Sequence, residues 1–396
     1  MSQRIVSYVH AALVDKQGVD LADTLDCEDT QAFVVTGGSL TYKQDTDSKL
    51  SGKIDITAVS MDGGSEEFMQ KLISSYVLIY INGEDGGGRK LIATLLPSVK
   101  SVDSTKGYIH SGSVELKSTL CALTENKVRK TSLKKGTNIY KKFCQYAKNY
   151  ACDGLTKVVT NIDNANKNET FKKNKVFQSG TTVFEIMNYM ARLMGAYITV
   201  NNKGQIYLKS KRTVKNTHAF DAVRLGKTKK LCMTSTITVD DNGVPLNRLI
   251  ATFEKTENKT TTRYYSKPVV LSADNPYSRQ HIGRNITDIV KVDEEELKDE
   301  GAIMTNPTSI KNKLTRIAKR ELLDLAEYNY SYTFKCPYVD EINLNDYAAI
   351  TLQEDYIKAK IKAFDIDLGK GCEMTLTCNS AQEPQVKYQT GTTAKY

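Results

Sequence analysis

The sequence predicts an α+β protein in which two β-rich arms flank a basic module that combines helices with a hairpin. Three observations lead to this fold class. Short runs of alternating apolar and polar residues recur in both arms, as is typical of strands with one buried face. The 396 residues include 22 tyrosines and no tryptophan, and many tyrosines lie in such runs. The third observation is an uneven distribution of charge.

The charge distribution sets the domain boundaries. Residues 126–230 contain 23 Lys and Arg against 5 Asp and Glu, a net charge of +18, whereas the rest of the chain carries −9. Such a block is typical of a separately folded module that faces an acidic partner or surface. We therefore predict a first β domain at 1–125, the basic module at 126–230, a second β domain at 231–380 and a polar C-terminal tail at 381–396.

The first arm shows strands on both sides of one short helix. The strands are predicted at 32–35, 53–59, 76–81, 90–96 and 108–116. The helix is predicted at 65–74, with Phe68, Leu72 and Ile73 on its inner face. The glycine-rich segment 82–88 predicts a loop, and it lacks the GxxxxGK[ST] spacing that places a lysine on phosphates.

The second arm repeats this order at larger size. Its strands are predicted at 232–239, 246–254, 263–267, 328–335, 346–352, 357–366 and 372–377. A long helix is predicted at 308–327, after Pro307, because its apolar residues form one stripe: Ile310, Leu314, Ile317, Leu322 and Leu325. Each arm therefore has one helix to pack against its strands.

The basic module is predicted to hold two helices and a hairpin. The first helix follows Gly136, and its apolar stripe is Ile139, Phe143, Tyr146, Ala147 and Tyr150. The second follows Gly180, since Thr182 and Glu185 have the spacing of a capping box and Gly195 ends the apolar run. Strands at 196–200 and 205–208, joined by the turn 201–204, predict the hairpin.

The residues predict no catalytic, cofactor-binding or metal-binding site, and hence no enzyme. The four histidines (His10, His110, His218 and His281) lie far apart in sequence and outside any zinc motif, so ordinary surface or core roles are expected. The eight cysteines have no zinc-ligand spacing and are expected to be reduced thiols. The acidic clusters at 20–29 and 293–296 lack the spacing of a calcium loop and are predicted to be solvated loops.

The basic block is compatible with two kinds of partner. Lysines interspersed with Tyr140 and Tyr207 could follow a phosphate backbone with help from stacking: Lys134, Lys135, Lys141, Lys142, Lys172, Lys173, Lys175, Lys209, Lys211 and Arg212. Against this, the aromatic residues of the first helix fall on its apolar stripe, and phosphate clamps favour arginine over lysine. Docking on an acidic protein surface is therefore the preferred interpretation.

No run of about 20 apolar residues or secretory signal is present, which predicts a protein made in the cytoplasm without a membrane anchor.

Three stretches of the chain resemble the baseplate and tail-tip hub proteins of phage tails, including the hub-like N-terminal regions of tail-associated lysins. The first is a helix and hairpin, 180–186 with 193–198 and 204–207. The second, 246–253 with 275–278 and 281–284, is similar to the family's segment before its long helix. The third, 344–350 with 359–366 and 374–377, is similar to its closing strands, although Asn345-Asp346 stands where the family often has Gly-Asp.

The resemblance implies a structural virion protein with two barrel-like, tail-tube-like β domains in each chain. Three copies would present six such domains and join a sixfold tail tube to a threefold tip or spike. The implied partners are two further copies of this chain, the tail tube or distal tail protein, the spike or tip protein and the tape measure protein. DNA would pass through the lumen without tight binding, and no room is expected before residue 396 for a lytic domain.

The alternative function is that of a cytosolic nucleic-acid-binding protein that uses the module 126–230. Such a protein would show an affinity for nucleic acid that falls steeply with salt concentration.

Overall fold

The computed structural model describes most of the chain between residues 6 and 380. The described residues are 6–16, 32–43, 46–47, 49–59, 70, 72–83, 89–98, 103–106, 109–210, 217–221, 231–232, 238–241, 246–257, 260–273, 277–326, 330–339, 342–352, 355–369 and 371–380. Among the helices of these ranges, none combines the length and the apolar character that a membrane crossing needs.

These residues form a mostly antiparallel β structure with few helices, which confirms the α+β, β-rich class. The strands are β1 (Val6–Asp15), β2 (Ala32–Lys43), β3 (Leu50–Val59), β4 (Ser75–Gly83), β5 (Arg89–Ser98), β6 (Asp103–Lys106), β7 (Ile109–Ser118), β8 (Thr131–Leu133), β9 (Val159–Thr160), β10 (Lys175–Phe177), β11 (Ala196–Val200), β12 (Ile206–Ser210), β13 (Thr217–Asp221), β14 (Leu231–Cys232), β15 (Thr238–Asp241), β16 (Arg248–Glu257), β17 (Thr260–Tyr265), β18 (Val269–Val270), β19 (Thr287–Lys291), β20 (Tyr330–Cys336), β21 (Tyr347–Leu352), β22 (Asp355–Asp367) and β23 (Met374–Ser380). The helices are α1 (Cys121–Glu125), α2 (Ile139–Tyr150), α3 (Asn164–Lys167), α4 (Val183–Leu193), α5 (Arg279–Ile282), α6 (Glu294–Asp299) and α7 (Pro307–Ala326).

Strands of both arms, together with β13 from the end of the predicted module range, join in one large sheet with the order β1-β4-β5-β7-β3-β2-β22-β21-β13-β14. Strand β1 pairs with β2 as well as with β4, so the pairing of six of the seven first-arm strands returns to its start, while β6 pairs with β7. The arms meet where β2 pairs antiparallel with β22, and β22 continues through β23 and β20 to β15. One apolar core cluster runs under both arms. The two arms are therefore one continuous β structure.

The short helix of the first arm is oriented differently from the prediction. Residues 70 and 72–74 are helical, and the rest of the predicted helix, including Phe68, lies outside the described residues. Leu72 is fully buried, but Ile73 is 54% exposed. The prediction that Ile73 faces inward is wrong, because the helix ends at Ser74 and the chain turns there into β4.

The long helix α7 packs on a separate four-stranded sheet formed by β16, β17, β18 and β19. Four residues of the predicted stripe (Ile310, Leu314, Ile317 and Leu322) are buried there against Leu249, Ala251 and Phe253 of β16, and the side chain of Leu325 is outside the described ones. The strands predicted at 246–254 and 263–267 are thus in a different sheet from those that follow the helix.

The basic module has its own apolar core, in which α2 and α4 pack together beside the β11–β12 hairpin. The predicted capping box is present: the Glu185 amide donates to Thr182 Oγ1 at 3.2 Å, and the Thr182 amide donates to Glu185 Oε2 at 2.7 Å. Gly195 follows α4 with a φ of +65°, a left-handed conformation that glycine adopts without strain.

The acidic cluster at 293–296 is the start of a helix and not the loop that the sequence predicted. Asp293 is the N-cap of α6, since its Oδ1 accepts the Glu296 amide at 2.6 Å. Glu294, Glu295 and Glu296 fill the first turn, where carboxylates interact favourably with the helix dipole. The acidic cluster at 20–29 lies outside the described residues.

Candidate docking surface

Four lysines of the module form a surface that we call the basic face: Lys134, Lys135, Lys141 and Lys142. The first two precede Gly136, and the other two lie in the first turn of α2, where the Lys141 amide donates to Asn138 Oδ1 at 2.8 Å. Lys134, Lys135 and Lys141 are exposed, and Lys142 is half-buried, with its Nζ donating to Gln145 Oε1 at 2.9 Å. In the part of the chain that the structure describes, Lys134, Lys135 and Lys141 have no carboxylate within ion-pair distance.

Other predicted lysines are already engaged. Lys172 pairs with Glu169 at 3.3 Å. The Lys175 side chain is only 13% exposed and pairs with Glu295 of α6, so the module also contacts the acidic helix near the four-stranded sheet. Lys211 and Arg212 lie outside the described residues. The structure therefore brings together only part of the predicted basic set.

The two tyrosines proposed for base stacking do not lie on the basic face with open rings. Tyr140 is half-buried against the module core, and this burial raises its pKa to about 12. The Lys167 ammonium lies 5.8 Å from its ring centroid. Tyr207 lines a cleft on the hairpin instead. This placement favours docking on a protein over stacking on nucleic acid.

The hairpin turn fixes the module to the first arm. Thr119 Oγ1 donates to the Gly204 carbonyl at 2.7 Å, and Thr94 Oγ1 donates to the Asn202 carbonyl at 2.8 Å. Gly204 has a φ of +73°, and a Cβ there would lie 3.0 Å from Thr119 Cγ2. The sequence predicted the turn but gave no sign of its two threonine partners.

A second contact lies beside this turn. Leu155 of the module is buried in a cluster with β1, β4 and β5, and the Tyr76 hydroxyl donates to the Asp153 carbonyl at 2.6 Å. Burial is the main cause that raises the pKa of the Cys152 thiol to about 12, so this cysteine is a protonated core residue at neutral pH. Apolar burial and hydrogen bonds thus hold the module against the first arm.

The four histidines have separate surroundings. His218 is buried, and its Nε2 lies 3.1 Å from Asp346 Oδ2. His281 Nε2 lies 3.0 Å from the Ala273 carbonyl, while burial and the charge of Arg89 lower the pKa of His10. The His110 side chain is outside the described ones. Within the described residues, no three His, Cys, Asp or Glu side chains are grouped to hold a metal ion.

Asn247 connects the parts of the second hub-like stretch. Its side chain is 1% exposed, and its Nδ2 donates to the carbonyls of Tyr277 at 3.1 Å and Arg284 at 2.9 Å. Its Oδ1 accepts the Ile286 amide at 2.8 Å. The amide side chain of Asn247 thus makes two donor bonds and one acceptor bond, and these three bonds connect residues 277, 284 and 286 to the start of β16.

Asn345 explains the departure from Gly-Asp in the third stretch. Its φ is +71°, in the left-handed region that favours glycine and that asparagine tolerates. The turn is further held because Asp346 accepts the Asn343 amide at 3.1 Å and the Ile361 amide donates to the Asp346 carbonyl at 2.8 Å. Asparagine at this position therefore adopts the backbone conformation that glycine would also adopt without strain.

We expect Asn345→Ala to destabilise the closing strands by about 2 kcal/mol, through strain at positive φ and the loss of its hydrogen bond to Tyr197. Asn345→Gly loses the bond without the strain and should cost about half as much. Hydrogen exchange of the Ile361 amide measures both losses. Equal losses for the two variants would show that backbone conformation does not select this residue.

Comparison with solved structures matches this fold over almost the whole chain. A tail protein from Neisseria meningitidis MC58 superimposes with a TM-score of 0.59 at 9% identity, covering 94% of this chain and 97% of its own. The 43 kDa tail protein of prophage MuSo2 from Shewanella oneidensis gives 0.58 at 11% identity, with 94% and 98% covered. This chain has the fold of phage tail proteins.

The same fold occurs in a chain of a Francisella PdpA–VgrG complex, with a TM-score of 0.52 at 9% identity, covering 95% of this chain and 53% of that one. No protein-family model and no curated protein matches the sequence. The resemblance that the sequence suggested is therefore confirmed at the level of fold.

Proposed function

We propose that this chain is the trimeric hub of a phage tail or phage-like injection machine, where it joins the sixfold tail tube to the threefold tip or spike. The observation that carries the proposal is the match to two phage tail proteins across 94% of the chain, both arms and the module included. The proposal includes two tube-like domains, at 1–125 and 231–380, with the basic module 126–230 inserted between them and the tail 381–396 after them.

The two β arms supply a reason for the trimer. Three copies with two similar arms each present six β units, which matches sixfold symmetry on one side and threefold symmetry on the other. The paired strands of the two arms share one sheet, which would fix their relative orientation within each copy. A rigid pair of units is suited to a role as an adaptor.

The proposed partners follow from this position. The tail tube or distal tail protein would lie on the sixfold side, the spike or tip protein on the threefold side, and the tape measure protein in the lumen. The protein would be assembled in the host cytoplasm and would reside in the virion tail, with no enzymatic activity and no membrane anchor. Locating a labelled chain in purified tails by cryo-electron microscopy tests this placement, and a label found away from the tube–tip junction would contradict it.

The basic face is proposed to dock on an acidic neighbour in the baseplate or tail tip. We expect simultaneous substitution of Lys134, Lys135, Lys141 and Lys142 by glutamate to reduce incorporation into particles at least about tenfold, because like charges would then meet across the contact. Three of these side chains are exposed and that of Lys142 is half-buried, so the fold should persist, as circular dichroism would show. Incorporation is measured by quantitative mass spectrometry of purified particles.

A matched control uses lysines outside the basic face. Lys127, Lys157, Lys267 and Lys311 are exposed, and replacing them together by glutamate changes the net charge by the same amount, so incorporation should fall less if location matters. Unchanged incorporation of the basic-face variant would contradict this docking role, but it would not contradict the hub proposal.

A further inference from the structure

A cleft of about 410 Å³ lies where the β11–β12 hairpin of the module faces strands of both arms. Its apolar lining comes mainly from the arms: Ile92, Leu344, Phe364, Ile366 and Met374. Its polar lining comes largely from the hairpin: Tyr197, Lys203, Tyr207 and Lys209. The cleft thus combines an apolar wall with a cationic one, and it is separate from the basic face.

Some polar groups of the cleft are already used within the chain. The Tyr42 hydroxyl donates to the Ile92 carbonyl at 3.2 Å, and its ring stacks on Phe364 with centroids 4.4 Å apart. Tyr197 bonds to the side chain of Asn345, and burial raises its pKa to about 12. These groups shape the wall of the cleft rather than offering free bonds to a ligand.

Lys203 and Lys209 are not used in this way. Neither has a carboxylate within ion-pair distance among the residues that the structure describes. Asp346 is the acid that influences Lys209, but it already accepts the Asn343 amide and lies 3.1 Å from His218 Nε2. Burial lowers the pKa of Lys209, which indicates that its ammonium group is partly removed from water. An anion that reaches such a group interacts with it more strongly than with an exposed lysine.

We propose that this cleft binds a polypeptide partner through a carboxylate carried next to an aromatic or aliphatic side chain. Lys203 and Lys209 would contact the carboxylate, and the apolar wall would take the side chain. A nucleotide fits the cleft less well, because no arginine lines it and the ring of Tyr42 is already stacked on Phe364. This inference does not rest on the hub role, so either can fail alone.

The test uses the full chain and N-acetyl-L-phenylalanine as the probe, with affinity measured by calorimetric or NMR titration. We expect one site with a dissociation constant of about 1 mM, as for other small ligands that make few contacts. N-acetyl-L-phenylalaninamide, which lacks the carboxylate and so loses both lysine contacts, should bind at least about tenfold more weakly, and Lys203→Gln or Lys209→Gln, which each lose one contact, should weaken the acid about threefold. Lys135→Gln, on the basic face, should leave the affinity unchanged.

Four results would overturn the inference. The first is that the wild-type chain does not bind the acid, and the second is that it binds the amide equally well. The third is that both cleft variants bind the acid with unaltered affinity. The fourth is that an equal concentration of inorganic phosphate displaces the probe, which would indicate a simple anion site. Lys203 lies in the hairpin turn, so Lys203→Gln should fold even if Lys209→Gln does not. Circular dichroism checks the folding of each variant before titration.

Discussion

Replacing Gly38 by alanine should destabilise the junction of the two arms by about 4 kcal/mol. Gly38 lies in β2 with a φ of +126°, and a Cβ there would lie 2.2 Å from the Lys53 carbonyl oxygen and 2.8 Å from Ile54 Cα. Both are backbone atoms of the paired strand β3, so relief requires the strands to separate. The Gly38 carbonyl also accepts the Leu368 amide at 3.0 Å, beyond the end of the β22 pairing.

The effect is measured as loss of hydrogen-exchange protection in β2, β3 and β22, because opening free energies are local in a large β structure. Gly180→Ala is the matched control. Gly180 also has a positive φ, of +95°, but an added Cβ there meets no atom within 4 Å. The control should cost only about 1 kcal/mol from backbone strain. Similar losses in both variants would show that the close approach of β3 does not matter.

Asn247→Leu should produce the second large effect, a loss of about 4 kcal/mol centred on the four-stranded sheet. Leucine removes three buried hydrogen bonds and leaves the Tyr277 and Arg284 carbonyls and the Ile286 amide without this partner. All three partner residues lie between β18 and β19, so we expect β19 and α5 to lose hydrogen-exchange protection first.

Asn247→Asp separates the roles of the two side-chain atoms. Aspartate keeps an acceptor for Ile286 but turns a carboxylate oxygen toward two carbonyl oxygens, so it should also destabilise the sheet. Asn149→Leu, at an exposed position of α2, is the control and should change stability by less than about 0.5 kcal/mol. Normal exchange in β19 of Asn247→Leu would contradict the connecting role of the asparagine.

Strands with one buried face were predictable from their alternation, whereas strands buried on both faces were predicted in some cases, such as β4, and missed in others. Strands β20 and β23 alternate in burial and were predicted within a few residues. Strand β1 was missed because Ala11, Ala12, Leu13 and Val14 are all buried: alternate residues pack in the main core and in the cluster under the module. A continuous apolar run of this kind carries no period that distinguishes a strand from a helix.

The candidate surface was predictable in composition but not in arrangement. Charge counting located the module, and periodicity placed the aromatic residues of α2 in its core. Only the tertiary structure places Lys175 on Glu295, Lys209 in a cleft and Lys134 on an open face, because these contacts join residues distant in sequence. Asn345 was predictable in part. Its sequence context suggested a turn, but only its positive φ in the structure shows why asparagine fits there.

The native mass of the purified protein at near-physiological salt tests the central proposal most directly. The hub account predicts a homotrimer, because threefold closure is what two tube-like units per chain need to match a sixfold tube. Native mass spectrometry at several protein concentrations would measure this mass on the purified chain alone, with no partner protein present. A protein that remains monomeric, or forms only dimers, even at the highest protein concentration measured would contradict the account.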